Sequence, residues 1–260
     1  MSDENLISAL HYGGDNAYAK VKDSLDMGAN VEARENLDRG HTALILASTG
    51  SHPEIVSLLL SKGAKIEARD HNSLGIGQQT PLMHAAGCAK NPEIVKLLLE
   101  KGAKIKAKDN FGSTPLFMAA SHSDTPEIAK LLLDKGAKIN AKNNLGRTPL
   151  MEACQGESTK MITFLLENGA KINTKDKIGM TPLMHACSVW GISSSPGSWD
   201  LCFDYAAEIV SLLLKKGANA RARDHAFKRA IDHYKENTEF NNLVTLQELT
   251  KASEGWWPFW

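Results

Sequence analysis

The chain has 260 residues, 42% hydrophobic and 23% charged, with 30 Asp and Glu balanced by 30 Lys and Arg. Such a neutral chain advertises no polyanionic partner as a whole, so duplex nucleic acid, which rewards dense positive charge, is not expected. The first residues, MSDENLISALHYGGD, lack a basic leader, and no apolar run approaches the roughly 18 residues of a membrane span, so neither secretion nor membrane insertion is expected.

Taken in order, residues 1–36 predict a polar-faced cap of two short helices, around Leu6–His11 and Asn16–Met27, stopped at Gly28. One unit then recurs. Gly-Ala pairs begin at Gly28, Gly63, Gly102, Gly136, Gly169 and Gly217, with spacings of 35, 39, 34, 33 and 48, so a basic period near 33 carries insertions of differing length. In the cleanest copy Thr148 suits an N-cap, and Pro149 suits the first helical position, where its missing N–H costs nothing. A second helix opens on Pro-Glu in three copies (Pro53-Glu54, Pro92-Glu93, Pro126-Glu127) and runs through Leu58–Leu60, Leu97–Leu99 and Leu131–Leu133. The Gly-Ala glycine then ends it, and an extended finger leads to the next Thr. The last copy departs from this pattern: residues 227–234 read FKRAIDHY, a cap helix is predicted there and another near Leu243–Leu249, and the tail ends Trp256-Trp257-Pro258-Phe259-Trp260.

The motifs TPLMHAA (80–86), TPLFMAA (114–120), TPLMEAC (148–154) and TPLMHAC (181–187), with the looser TALILAS (42–48), resemble the ankyrin-repeat family over nearly the whole chain. The resemblance implies an all-α repeat solenoid of helix-turn-helix units with β-hairpin fingers, about seven repeats including both caps. It implies one domain, 1–260: an N-cap repeat at 1–36, five full repeats at 37–222, a C-cap repeat at 223–252 and an aromatic tail at 253–260. It also implies a non-catalytic module that binds another protein through a concave surface of fingers and inner helices, without a cofactor.

Shared grammar reports folding, so information about a partner belongs to the departures and the exposed rows. One basic residue per copy precedes each finger: Arg34, Arg69, Lys108, Lys142, Lys175 and Arg223. A second row, Lys65, Lys104, Lys138 and Lys171, follows the Gly-Ala pairs. These rows read either as solvated faces or as edges that steer an acidic segment. Phe111, Leu145 and Ile178 precede the finger glycines and form an apolar row, either packed between fingers or exposed for an interface. The groove candidates are therefore Arg69, Lys108, Phe111, Ser113, His122, Lys142, Leu145, Arg147, Lys175, Ile178 and Met180.

All five tryptophans lie outside the repeat grammar. An insertion at about 190–204 holds Trp190, Trp199 and Phe203 and is followed by Tyr205, and the tail holds Trp256, Trp257 and Trp260. Such aromatics anchor interfaces, or here seal the last repeat. The leading expectation is an adaptor or inhibitor whose partner presents an acidic and apolar segment. The alternatives are an assembly subunit docking, or self-associating, through the tail, and an accessory or toxin-neutralising protein.

Chemistry is sparsely signalled. His84 and His185 occupy matching positions three copies apart and cannot share a ligand. His84 and Cys88 have i,i+4 spacing, the one pair to check for zinc or thiol chemistry, but further ligands are not evident. Gly75-Ile76-Gly77 is half a dinucleotide fingerprint without its context. Cys154 and Cys187 stack one repeat apart, where packed helices lie about 8–10 Å from one another, beyond the roughly 7 Å a disulfide spans, which suggests a reducing, cytoplasmic compartment. No catalytic, cofactor or metal residues are expected.

Overall fold

The computed structural model describes residues 2–12, 14–35, 40–71, 77–88, 91–122, 126–156, 158–188, 199–236 and 243–254, without the side chains at 122, 199–205 and 243. Helices come in pairs along it: α1 (Ser2–Tyr12) and α2 (Ala17–Asp26), α3 (Ala43–Thr49) and α4 (Pro53–Ser61), α5 (Pro81–Cys88) and α6 (Pro92–Glu100), α7 (Pro115–His122) and α8 (Glu127–Asp134). Three more pairs follow: α9 (Pro149–Ala153) and α10 (Thr159–Glu167), α11 (Pro182–Ser188) and α12 (Trp199–Lys215), α13 (Ala230–Glu236) and α14 (Leu243–Glu254).

The motif explains the first helix of a pair. The hydroxyls of Thr42, Thr80, Thr148 and Thr181 accept the backbone N–H three residues on, at 3.3–3.4 Å. In three copies the bond is returned: the N–H groups of Thr80, Thr148 and Thr181 donate to Sδ of Met83, Met151 and Met184 at 3.4–3.5 Å. This is a capping box in which a thioether replaces the usual Glu or Gln. All three Met side chains are fully buried, where a carboxylate would pay a large desolvation penalty. At the far end of the second helix, Gly136 takes φ 93°, while its N–H donates to the Leu133 carbonyl and that of Ala137 to the Leu132 carbonyl, closing the helix.

Contacts gather the chain into two units, residues 1–119 with 127–138 and residues 120–126 with 139–260. In the first, α1, α3 and α5 stack in one row and α2, α4, α6 and α8 in another. In the second, α9, α11 and α13 stack, as do α10, α12 and α14. Leu59, Leu98 and Leu132 are fully buried in the first unit, and Leu165 and Leu213 in the second. Each such Leu contributes about 1.5–3 kcal/mol by leaving water.

Among the described residues the only β-bridge is the isolated pair Arg34–Thr42. Three fingers are tight turns closed both by a backbone bond, from the N–H groups of Asp109, Asn143 and Asp176 to the carbonyls of Ser113, Arg147 and Met180, and by the side chain of the same residue. Asp109 Oδ1 accepts the N–H groups of Phe111 and Ser113, Asn143 Oδ1 those of Leu145 and Arg147, and Asp176 Oδ1 those of Ile178 and Met180. An Asx side chain thus takes the donors that a partner strand would have taken. Part of the insertion at about 190–204 is helical, because α12 begins at Trp199 and runs for 17 residues. After Gly197 the sequence WDLCFDYAAEIV contains no Gly or Pro and repeats apolar residues at helical spacing, so the helix extends backward.

Candidate interaction surface

The basic row is built into the fold. Arg34 Nη1 donates to the Arg69 carbonyl at 3.0 Å, and Arg69 Nη1 to the Lys108 carbonyl at 2.8 Å and to Gln78 O. In the second unit Lys142 Nζ donates to the Lys175 carbonyl at 2.8 Å, Lys175 Nζ to the Arg223 carbonyl at 2.7 Å, and Arg223 Nη1 to Phe227 O at 2.6 Å. Each of these side chains therefore ties one finger to the next, or closes its own, while staying partly or fully in solvent. Lys108 is exposed. A parallel set uses short polar side chains: Glu32, Glu67, Asn140 and Asn173 accept the N–H groups of Lys65, Lys104, Lys171 and Asn219 at 2.8–2.9 Å.

The apolar row is exposed. Phe111 in the first unit is 48% accessible, and Leu145 and Ile178 in the second are 53% and 59%. Their backbones are nonetheless fixed. The Leu145 carbonyl accepts the Lys177 N–H and the Ile178 carbonyl accepts the His225 N–H, both at 3.0 Å, so neighbouring fingers of the second unit are bonded edge to edge. The next finger has no glycine: Phe227 takes its left-handed conformation (φ 62°) and is 76% accessible. The Cβ penalty of that conformation is about 1–2 kcal/mol.

Other candidates fall elsewhere. Ser113 and Met180 are buried, each directly before its motif Thr, at the base of its finger. Arg147, partly buried, donates from Nη1 to Gln155 Oε1 at 3.3 Å and lies 3.8 Å from Glu152 Oε1. The side chains of His122, Trp199, Phe203 and Tyr205 lie outside the described structure, as do Trp190, Trp256, Trp257 and Trp260 entirely.

Histidine–carboxylate pairs are what sequence reasoning missed. His84 Nε2 lies 2.8 Å from Asp70 Oδ2, His185 Nε2 2.9 Å from Asp176 Oδ2, and His233 Nε2 2.8 Å from Asp224 Oδ2. His84 is thus engaged with the base of its own finger, through Asp70. Burial pushes the Asp70 carboxyl up, but hydrogen bonds from His84 and the Gln79 N–H, with the nearby His charges, hold it below the ordinary carboxylate value. For His185 burial dominates and lowers its pKa; Asp176 opposes, and the Arg147 and His233 charges reinforce the fall. Cys154 and Cys187 are buried free thiols whose pKa values burial pushes up, which makes them inert. No helix among the described residues is long and apolar enough to cross a membrane.

Paired helices, Thr-Pro caps and side-chain-closed fingers define a helical repeat protein. A family model described as ankyrin repeats (3 copies) matches residues 6–109, 82–176 and 116–224. The chain belongs to the ankyrin-repeat family, whose repeats generally mediate protein–protein interaction. No curated protein matches it.

Proposed function

We propose that the chain is a non-catalytic adaptor or inhibitor that holds a partner protein against the fingers of its second unit. The observation that carries this reading is the strip Leu145, Ile178 and Phe227, three exposed apolar side chains on fingers whose backbones are hydrogen-bonded together or locked by a tight turn. An exposed apolar row on a rigid frame binds without a large ordering cost. Exposed Lys177 lies on the same fingers, and Lys142 and Lys175 keep their charge at the surface while closing finger-to-finger bonds, which favours a partner segment combining apolar and acidic residues. Phe111 and Lys108 offer the same chemistry in the first unit. A left-handed, exposed Phe227 is a local cost that a binding role explains. Buried free thiols at Cys154 and Cys187 fit a reducing, cytoplasmic setting.

The test is a nuclease-treated capture from native lysate, comparing wild type with Leu145→Asp/Ile178→Asp. Both side chains are exposed, so the variant keeps its fold. A partner held by wild type and lost by the variant supports the reading. A partner held equally by both moves function to the Trp-bearing insertion and tail and ends the finger proposal.

A further inference from the structure

In the first unit the His84–Asp70 pair is joined by a second histidine, His41. In three copies the residue before the motif Thr reaches toward the next helix pair. Gln79 Nε2 donates to Met118 Sδ at 3.6 Å, and Arg147 reaches His185 through Gln155, whose Nε2 lies 3.3 Å from His185 Nδ1. His41 holds the corresponding position before Thr42, and its ring meets that of His84 edge-on with centroids 4.9 Å apart. Where Arg147 brings a fixed cation toward His185, His41 brings an imidazole toward Asp70 and His84.

That imidazole is oriented. His41 Nδ1 lies 2.8 Å from Glu35 Oε1, and Glu35 Oε2 lies 3.2 Å from His11 Nε2. In the neutral ring the Nδ1–H donates to Glu35, which puts the lone pair on Nε2. Nε2 faces Asp70 Oδ2 at 4.0 Å, and the same oxygen is 2.8 Å from His84 Nε2. The other Asp70 oxygen, Oδ1, is occupied by the Gln79 N–H at 2.6 Å, so the carboxylate is held with Oδ2 toward the histidines. Ligand atoms of His41, Asp70 and His84 all lie within 4.8 Å of one another, and the three side chains are largely out of solvent.

We infer that His41, Asp70 and His84 form a site for a single divalent transition metal of the zinc class, with Glu35 as the hydrogen-bond partner that orients His41. Bonds of about 2.0–2.1 Å in a tetrahedron place ligand atoms about 3.3 Å apart. The observed 2.8 and 4.0 Å lie on either side of that value, so small side-chain rotations suffice. Two imidazole nitrogens and one carboxylate oxygen, with a water in the fourth position, form a borderline-soft donor set that suits zinc and not calcium or magnesium. A carboxylate behind a ligating His is the usual device for fixing its tautomer. His41 belongs to one helix pair, and Asp70 and His84 to the finger and first helix of the next, so the metal joins neighbouring repeats of the first unit. It stabilises the folded state in proportion to its binding.

The experiment uses the full chain, stripped with a chelator and titrated with cobalt(II) chloride, followed by visible absorption and then by zinc competition. Four-coordinate d–d bands saturating at one equivalent and erased by zinc, with a melting midpoint that rises with zinc concentration, are the expected result. Asp70→Asn and His84→Gln abolish the bands, Glu35→Gln weakens binding by about 10–100-fold, and His233→Gln and Cys88→Ser leave it unchanged. The absence of bands together with a zinc-independent midpoint in wild type overturns the site, and this titration decides whether or not every variant folds. Bands that survive Asp70→Asn and vanish in Cys88→Ser overturn it as well.

Discussion

Two rows run along the fingers at the same period, one basic and one apolar, and the structure gives them opposite roles. Arg34, Arg69, Lys142 and Lys175 spend a donor on the carbonyl of the next member of their own row. Leu145 and Ile178 spend only backbone groups, and their side chains stand in solvent. A periodic row is thus explained by folding when its side chains close inter-repeat bonds. It is available to a partner when only its backbone does so. The difference also changes the choice of test. Reversing Lys142 and Lys175 breaks finger-to-finger bonds along with the surface charge, whereas Lys108→Glu or Lys177→Glu changes charge on exposed side chains.

The comparison is sharpened by substitutions of graded effect. The largest falls on neither row: Leu132→Ala, at a fully buried position, leaves a core cavity and costs about 2–5 kcal/mol in urea denaturation. An unchanged midpoint would show that the helix register is wrong. A second effect is read against pH. Because burial lowers the His185 pKa on folding below the ordinary imidazole value of about 6.5, the unfolded chain binds the extra proton first as pH falls. Stability is therefore lost as pH drops below about 6.5 toward the folded value, and His185→Gln removes that part of the slope in a melt series. Phe227→Gly acts in the opposite direction, raising stability by about 1 kcal/mol by relieving the left-handed backbone, while weakening partner capture. If stability falls, the exposed ring contributes to the fold instead. Lys142→Met and Lys175→Met each lower stability by about 0.5–1 kcal/mol, the net worth of one partly solvated hydrogen bond. Leu145→Ser and Ile178→Ser are the smallest, within about 0.5 kcal/mol of wild type.

Most of the scaffold was legible in the sequence because its devices are local. A Thr-Pro pair, a Leu triplet and a Gly-Ala pair each act within or beside one helix, so α4, α6 and α8 begin at their Pro-Glu pairs and end just before their Gly-Ala pairs, as expected. The detail of the finger turns was not legible, because Asp109, Asn143 and Asp176 close them with their own side chains, which an extended spacing does not reveal. The buried pairs had a signal that went unused. Asp176 and Asp224 each precede a His, His185 and His233, by nine residues. The longer finger after Asp70 hides the same relation to His84. His41 was invisible because its contacts with Asp70 and His84 cross between repeats, and no spacing within one copy encodes them. The same holds for the finger-to-finger bonds of the basic row.

The most direct measurement is a side-by-side thermal and urea denaturation of Lys142→Met/Lys175→Met and Leu145→Ser/Ile178→Ser. These pairs sit on the same two fingers and differ in which row they remove. The lysine pair should lower the midpoint, while the apolar pair should leave it where wild type has it. A fall confined to the apolar pair, with the lysine pair at the wild-type midpoint, would contradict the assignment of the basic row to the fold and the apolar row to the surface.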